Sequence, residues 1–119
     1  MAVNCRTLRS TELNFNRDVF KSKPAPVITY SDGLSFHLNG QEVWFFLAPA
    51  AHTDGDSFVH FMQSDVLHLG DVFRTNMYPI IEKFNGGSFL GMIEAMEIAN
   101  GLAGPDTKVI PGHSVGVLG

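Results

Sequence analysis

Five histidines stand in the 119 residues, and they fall into two kinds of position. His37, His60 and His68 sit singly inside apolar, strand-like runs. There an imidazole is ordinarily a packed or edge side chain with no ligand role. His52, Asp71 and His113 are placed differently: His52 follows Leu47-Ala48-Pro49-Ala50-Ala51, Asp71 follows Leu67-His68-Leu69-Gly70, and His113 follows Ile110-Pro111-Gly112. Each comes just past an apolar run, beside a glycine or proline where the backbone turns. A site on the loop edge of an α/β sandwich is built this way. Imidazole and carboxylate are also the ligands a zinc or iron ion accepts when it keeps one position open for water. Ligands so far apart in sequence do not by themselves decide between a metal site and ordinary loop side chains.

Nucleophilic chemistry is excluded more simply. Cys5 has no histidine near it in sequence, Ser114 is adjacent to His113 and so cannot place its hydroxyl on that ring, and no Gly-x-Ser-x-Gly elbow occurs. Gly86-Gly87-Ser88 precedes a helical pattern and could present free backbone N–H groups to an anion. A flexible loop ending in a helix cap explains the same residues and is the preferred reading.

The elements that must position these residues are mostly strands. Val27-Ile28-Thr29-Tyr30 reads as a strand, Ser31-Asp32-Gly33 as a turn, and Leu34-Ser35-Phe36-His37-Leu38 as an alternating strand. Asn39-Gly40 supplies the two positive φ angles of a type I′ turn, so Glu42-Val43-Trp44-Phe45-Phe46-Leu47 folds back as the hairpin partner. Ser57–Met62 and Asp65–Leu69 are two further strands around the turn at Gln63-Ser64, the second of them interior. In the next stretch Phe89, Met92, Ile93, Met96, Ala99 and Leu102 recur at helical spacing. Ser88 is the expected cap and Gly101 or Gly104 the expected stop. Thr107-Lys108-Val109-Ile110 closes the series as a last strand. Residues 1–24 are polar and mixed, without a settled period, and read as an arm ahead of one domain over 25–119.

Composition bounds the partners. With 45% hydrophobic and 17% charged residues the chain has the make-up of one globular domain, and its single cysteine makes no internal bridge. Eight Lys+Arg against twelve Asp+Glu give a net charge of −4, with no basic run, so a nucleic-acid partner is not expected. No apolar stretch reaches the ~20 residues of a bilayer crossing, and the first residues lack the apolar core of a signal peptide. The expectation is a soluble, cytoplasmic chain with no membrane partner, unless an upstream segment is missing.

Several ordered blocks carry a family resemblance. Pro49-Ala50-Ala51-His52-Thr53-Asp54-Gly55-Asp56-Ser57, Val66-Leu67-His68-Leu69-Gly70-Asp71-Val72-Phe73, Tyr78-Pro79, Gly86-Gly87-Ser88, Gly91-Met92-Ile93 and Thr107-Lys108-Val109-Ile110-Pro111-Gly112-His113 follow one another in the chain. In that order they resemble the second half of a metallo-β-lactamase-fold hydrolase. The resemblance implies an α/β fold that is half of the family's αβ/βα sandwich, with a mixed, mostly antiparallel sheet and one main amphipathic helix. It also implies zinc, or iron or manganese, with His52 in the first metal site, His113 in the second, and Asp71 bridging both as the catalytic carboxylate. The implied substrates are small esters, lactams or thioesters.

One family element is missing: the His-x-His-x-Asp-His segment, expected upstream of the Asn39-Gly40 hairpin, does not occur. On the family pattern the first ion keeps only His52 and Asp71, and the second only Asp71 and His113. Two expectations follow. In one, the chain is the carboxy-terminal half of such a hydrolase, inactive or weakly active alone and completed by a matching amino-terminal half. In the other, it is a non-catalytic domain that self-associates through an apolar sheet face containing part of Val43, Phe45, Leu47, Phe58 and Phe61.

Overall fold

Asn39 and Gly40 take φ angles of 52° and 74°, the pair of left-handed conformations that turns one strand directly into the next. Around this turn β1 (Gly33–Leu38) and β2 (Gln41–Leu47) form the expected hairpin, with Leu38 opposite Gln41 and Gly33 opposite Phe46. The structure is a computed structural model and describes residues 28–114. The arm over 1–24 and the start of the first expected strand, Val27, lie outside the described residues. Ile28–Tyr30 carry no regular structure, so the described part of that strand does not form. There Tyr30 donates its hydroxyl proton to Ser57 Oγ (2.9 Å), and the ladder begins only where Leu47 N–H reaches Asp32 O (2.8 Å).

β3 (Ser57–Phe61) pairs antiparallel with β2, and β4 (Val66–His68) antiparallel with β3. A helix, α1 (Phe89–Leu102), then carries the chain across to β5 (Lys108–Ile110), which pairs parallel with β4. The five strands lie in chain order in one mixed sheet. This is the expected α/β architecture, with one helix on the long crossover that a parallel pair requires. Strand direction follows from the pairing: β2, β4 and β5 run the same way, so their carboxyl ends share one edge. The loops carrying His52, Asp71 and His113 leave from those three ends.

Alternation divides the sheet into two faces. Phe46, Phe58 and Leu67 point to the helix side and join Met92, Ala95 and Ala99 in the buried core. The edge-to-face contact of Phe46 and Phe58, with ring centroids 5.5 Å apart, lies in this layer. The helix meets the sheet through small residues four apart, Gly91, Ala95 and Ala99, all buried. Phe89 and Ile93, expected on the buried stripe, are instead exposed, Phe89 by 67%. Close approach explains the difference: a Cβ at Gly91 would lie 1.8 Å from the Ala50 carbonyl oxygen, so only small side chains fit beneath the helix there. Neither expected glycine stops the helix. Gly101 lies inside it, and Ala103, in an extended conformation, caps it by donating to Ala99 O (3.0 Å) just ahead of Pro105. Thr107, expected in the last strand, instead has Oγ1 between Gly104 N–H (2.7 Å) and Asp65 Oδ1 (2.8 Å), so β5 starts one residue later.

The other face carries Leu34, Phe36, Val43, Phe45, Leu47, Val59 and Phe61, with Phe36 edge-on to Phe45 at 5.5 Å. Phe58 does not belong to it; the register sets Phe58 opposite Phe46 on the helix side, where it is fully buried. The one helix described lies on the opposite side of the sheet. Among the described residues no helix is long and apolar enough to cross a membrane.

Candidate metal centre

Three strand ends deliver the three side chains, and each loop is fixed by its own backbone bonds. Leaving β4, Leu69 N–H donates to Ile110 O (3.1 Å), and the chain turns through Gly70 (φ 56°) into a short 3-10 turn over Gly70–Val72 that carries Asp71. Val72, buried beneath it, anchors the turn in the core. Gly112 N–H donates to Gly70 O (2.7 Å) and Phe73 O (3.1 Å), and Thr75 N–H to His113 O (3.2 Å). The parallel pairing of β4 and β5 thus continues into the loops and sets His113 beside Asp71. Only glycine suits position 112, because a Cβ there would lie 2.5 Å from the Gly70 carbonyl oxygen and 2.6 Å from Asp71 Oδ1.

The loop of His52 is held from two sides. Inside it, the Asp56 carboxylate accepts from His52 N–H (2.7 Å), Thr53 N–H (3.0 Å) and the Thr53 hydroxyl (2.9 Å). Outside it lies the segment 80–88. Glu82 N–H donates to His52 O (2.9 Å), Asp54 N–H to Asn85 O (2.9 Å), and Ser88 N–H to Ala51 O (3.0 Å). A Cβ at Gly87 would lie 2.1 Å from the His52 carbonyl oxygen. Gly86-Gly87-Ser88 is therefore a clamp on the His52 loop as well as the start of α1, where Ser88 Oγ accepts from Gly91 N–H (2.9 Å). The preferred reading of a loop with a helix cap holds.

Within this frame the three expected residues meet. His113 Nε2 is 2.9 Å from Asp71 Oδ1, and His52 Nε2 is 3.6 Å from Asp71 Oδ2. Each oxygen of one carboxylate faces a different histidine. His52 Nδ1 lies 2.8 Å from the Ile80 carbonyl oxygen, which can only accept, so Nδ1 carries a proton and Nε2 is the ring nitrogen turned toward Asp71. A backbone carbonyl behind the far ring nitrogen is the usual support of a metal-ligating histidine. The donor types fit two half-sites that share Asp71, each with two side chains. Among the described residues no group of three or more His, Cys, Asp or Glu side chains is placed to hold one ion.

The remaining histidines stay apart. His37 is exposed on the edge strand β1, His68 accepts from Gly70 N–H at Nδ1 (3.1 Å), and His60 is buried on the helix side with Asp65 Oδ1 4.0 Å away. No sequence signal points to Glu82, whose Oε1 is 3.9 Å from His52 Nε2. The two are thirty positions apart, and the backbone bond from Glu82 N–H to His52 O brings them together.

No family model matches the chain, and no curated protein does. Among solved structures the chain is similar to a metallo-beta-lactamase from Pontibacter korlensis, at 19% sequence identity and a TM-score of 0.62. The match covers 78% of this chain and 43% of that one. The chain thus has an α/β fold matching part of the metallo-β-lactamase fold and spans less than half the length of that neighbour.

Proposed function

We propose that the chain carries part of the metal edge of a metallo-β-lactamase-like, zinc-dependent hydrolase of small esters, lactams or thioesters. Asp71 is the shared ligand, His52 serves one ion and His113 the other. The observation that supports this most is the Asp71 carboxylate, with one oxygen turned to each histidine. Zinc held there, or iron or manganese in its place, supplies Lewis-acid activation of water and of the substrate oxygen. The chain's own contribution is positioning. Ile80 orients the ring of His52, Asp56 and the Gly86-Gly87-Ser88 clamp hold its loop, and Gly112 lets His113 approach Asp71. The Asp71 side chain keeps 42% of its surface exposed, so it can accept a hydrogen bond from the attacking water. Two ligands per ion are fewer than the three a catalytic zinc ordinarily takes, so the chain alone is inactive or weakly active. Full activity then belongs to an assembly in which a matching αβ half covers the sheet face opposite the helix and brings the other ligands.

Zinc analysis after dialysis and a reporter assay test the proposal. The chain should retain well under two zinc ions, and Asp71→Ala should release them. Adding a half with the His-x-His-x-Asp-His segment should produce slow, zinc-dependent hydrolysis of a generic ester or lactam. Activity that survives a chelator, or zinc retention unchanged in Asp71→Ala, would sink it. The apolar sheet face opposite the helix favours a second reading, a non-catalytic domain that self-associates there; it predicts no zinc retention at all.

A further inference from the structure

The strand that delivers His113 has almost nothing to pack. β5 spans only Lys108–Ile110, and all three residues are exposed, Val109 by 38% and Ile110 by 41%. A buried face ordinarily fixes a strand's register, because a slip of one residue turns its apolar side chains into water; without such a face the register has to come from elsewhere. Here it comes from the two ends. Beyond the strand, Gly112 N–H donates to Gly70 O (2.7 Å) and Phe73 O (3.1 Å). Ahead of it, at the amino ends of β4 and β5, Asp65 and Thr107 form a clasp. We propose that this clasp positions the candidate site from the far end of the strand, locking β5 onto β4 in the register that brings His113 to Asp71. The inference rests on the proposed role of His113 and Asp71 as ligands, and adds two residues that hold one of them in place.

Asp65 takes a φ of 50°, a left-handed conformation that aspartate enters more readily than most residues, and presents its carbonyl to Lys108 N–H (3.0 Å). Its Oδ1 accepts from the Thr107 hydroxyl (2.8 Å), and Thr107 Oγ1 accepts from Gly104 N–H (2.7 Å). One carboxylate thus ties the turn ahead of β5 to the turn ahead of β4. The register that follows sets Val66 opposite Lys108 and His68 opposite Ile110, with His113 Nε2 2.9 Å from Asp71 Oδ1. Sliding β5 by one residue would move His113 ~3.3 Å along the strand and reverse the face of each side chain, which breaks that contact. Gly112 lets the loops meet at one end, but it has no side chain to hold them there.

Amide hydrogen exchange of the full chain, read by NMR, tests the lock, and cobalt(II) titration beside it tests the ligand role of His113. Thr107→Val keeps shape and removes the hydroxyl; Asp65→Gly keeps the left-handed turn and removes the carboxylate. In both, Gly112 N–H and Thr75 N–H, the donor to His113 O, should exchange at least about fivefold faster. Ala48 N–H, bonded to Asp56 O (2.9 Å), should exchange as before. Thr107→Ser and Asp65→Asn, which keep the hydroxyl and an acceptor, should retain the parent protection. Cobalt affinity should fall in step with the lost protection. Gly112 and Thr75 amides as protected in Thr107→Val and Asp65→Gly as in the parent would overturn the lock. Lost protection with cobalt affinity unchanged would bear out the lock and overturn the metal reading of His113.

Discussion

At the scale of single residues, the candidate site separates the side chains that meet at the loop edge from those that aim them. Asp71 touches both histidines, so its loss should hurt most. In a reconstituted two-metal assembly Asp71→Ala should abolish zinc-dependent hydrolysis, while His37→Ala stays within a few-fold of the parent rate; equal losses from the two would show that the site is misplaced. Asp56 belongs to the aiming class. Its carboxylate accepts two backbone N–H groups and a hydroxyl in the His52 loop. Truncation to alanine leaves those donors without partners in a part-buried loop, so Asp56→Ala should cost about 1–3 kcal/mol in a urea melt. It should also weaken zinc binding with no ligand removed. What the sequence disclosed at this scale follows the same division. His52, Asp71 and His113 were legible because ligand types stood beside turn residues after apolar runs. Glu82 was not, because its nearness to His52 depends on a backbone bond between two loops, which leaves no periodic or compositional trace.

Elements come next, and two glycines show how the same residue type takes opposite roles. Gly87 lies where two loops nearly touch, and a Cβ there would stand only 2.1 Å from the His52 carbonyl oxygen. Gly101 lies inside α1, where a Cβ would have open space around it. Gly101→Ala should therefore stabilise the fold by about 0.5–1 kcal/mol, as alanine replaces glycine in an exposed helix interior. Gly87→Ala should destabilise it and loosen the His52 loop, lowering zinc affinity as well as the urea midpoint. Chemical melts of the two variants check both signs, and a stabilising Gly87→Ala would contradict the clamp. The Asn39-Gly40 hairpin and the β3 and β4 runs were readable because their signals are local: turn dihedrals and period-two alternation. The helix is legible in the sequence too, with Met92, Met96, Ala99 and Leu102 on its core side as expected and only Phe89 and Ile93 turned outward. Hydropathy favours Phe89 and Ile93, whereas the distance between helix and sheet selects Gly91, Ala95 and Ala99.

At the scale of the whole molecule, one sheet face has the helix and the other has Leu34, Phe36, Val43, Phe45, Leu47, Val59 and Phe61. Phe61 is 36% exposed at one end of it. A sheet is stable in water when each apolar face is packed against another layer, and on this face Phe45 is buried while its neighbours other than Phe61 are only partly exposed. The solved metallo-beta-lactamase, more than twice as long as the part matched here, shows this fold as one portion of a larger chain. Alone, the chain should associate with itself face to face, burying the roughly 800 Å² per partner that a stable interface needs. Light scattering at high concentration should report a mass above the 13.0 kDa of one chain. Phe61→Lys places a charge on that face away from His52, Asp71 and His113, so it should shift the mass toward the monomer and leave any zinc retention unchanged. Supplying the complementary half should dissolve the self-assembly in the same way, because both occupants compete for one surface. A monodisperse 13.0 kDa species from the parent chain would refute self-association and assign the cover of that face to residues of the chain itself.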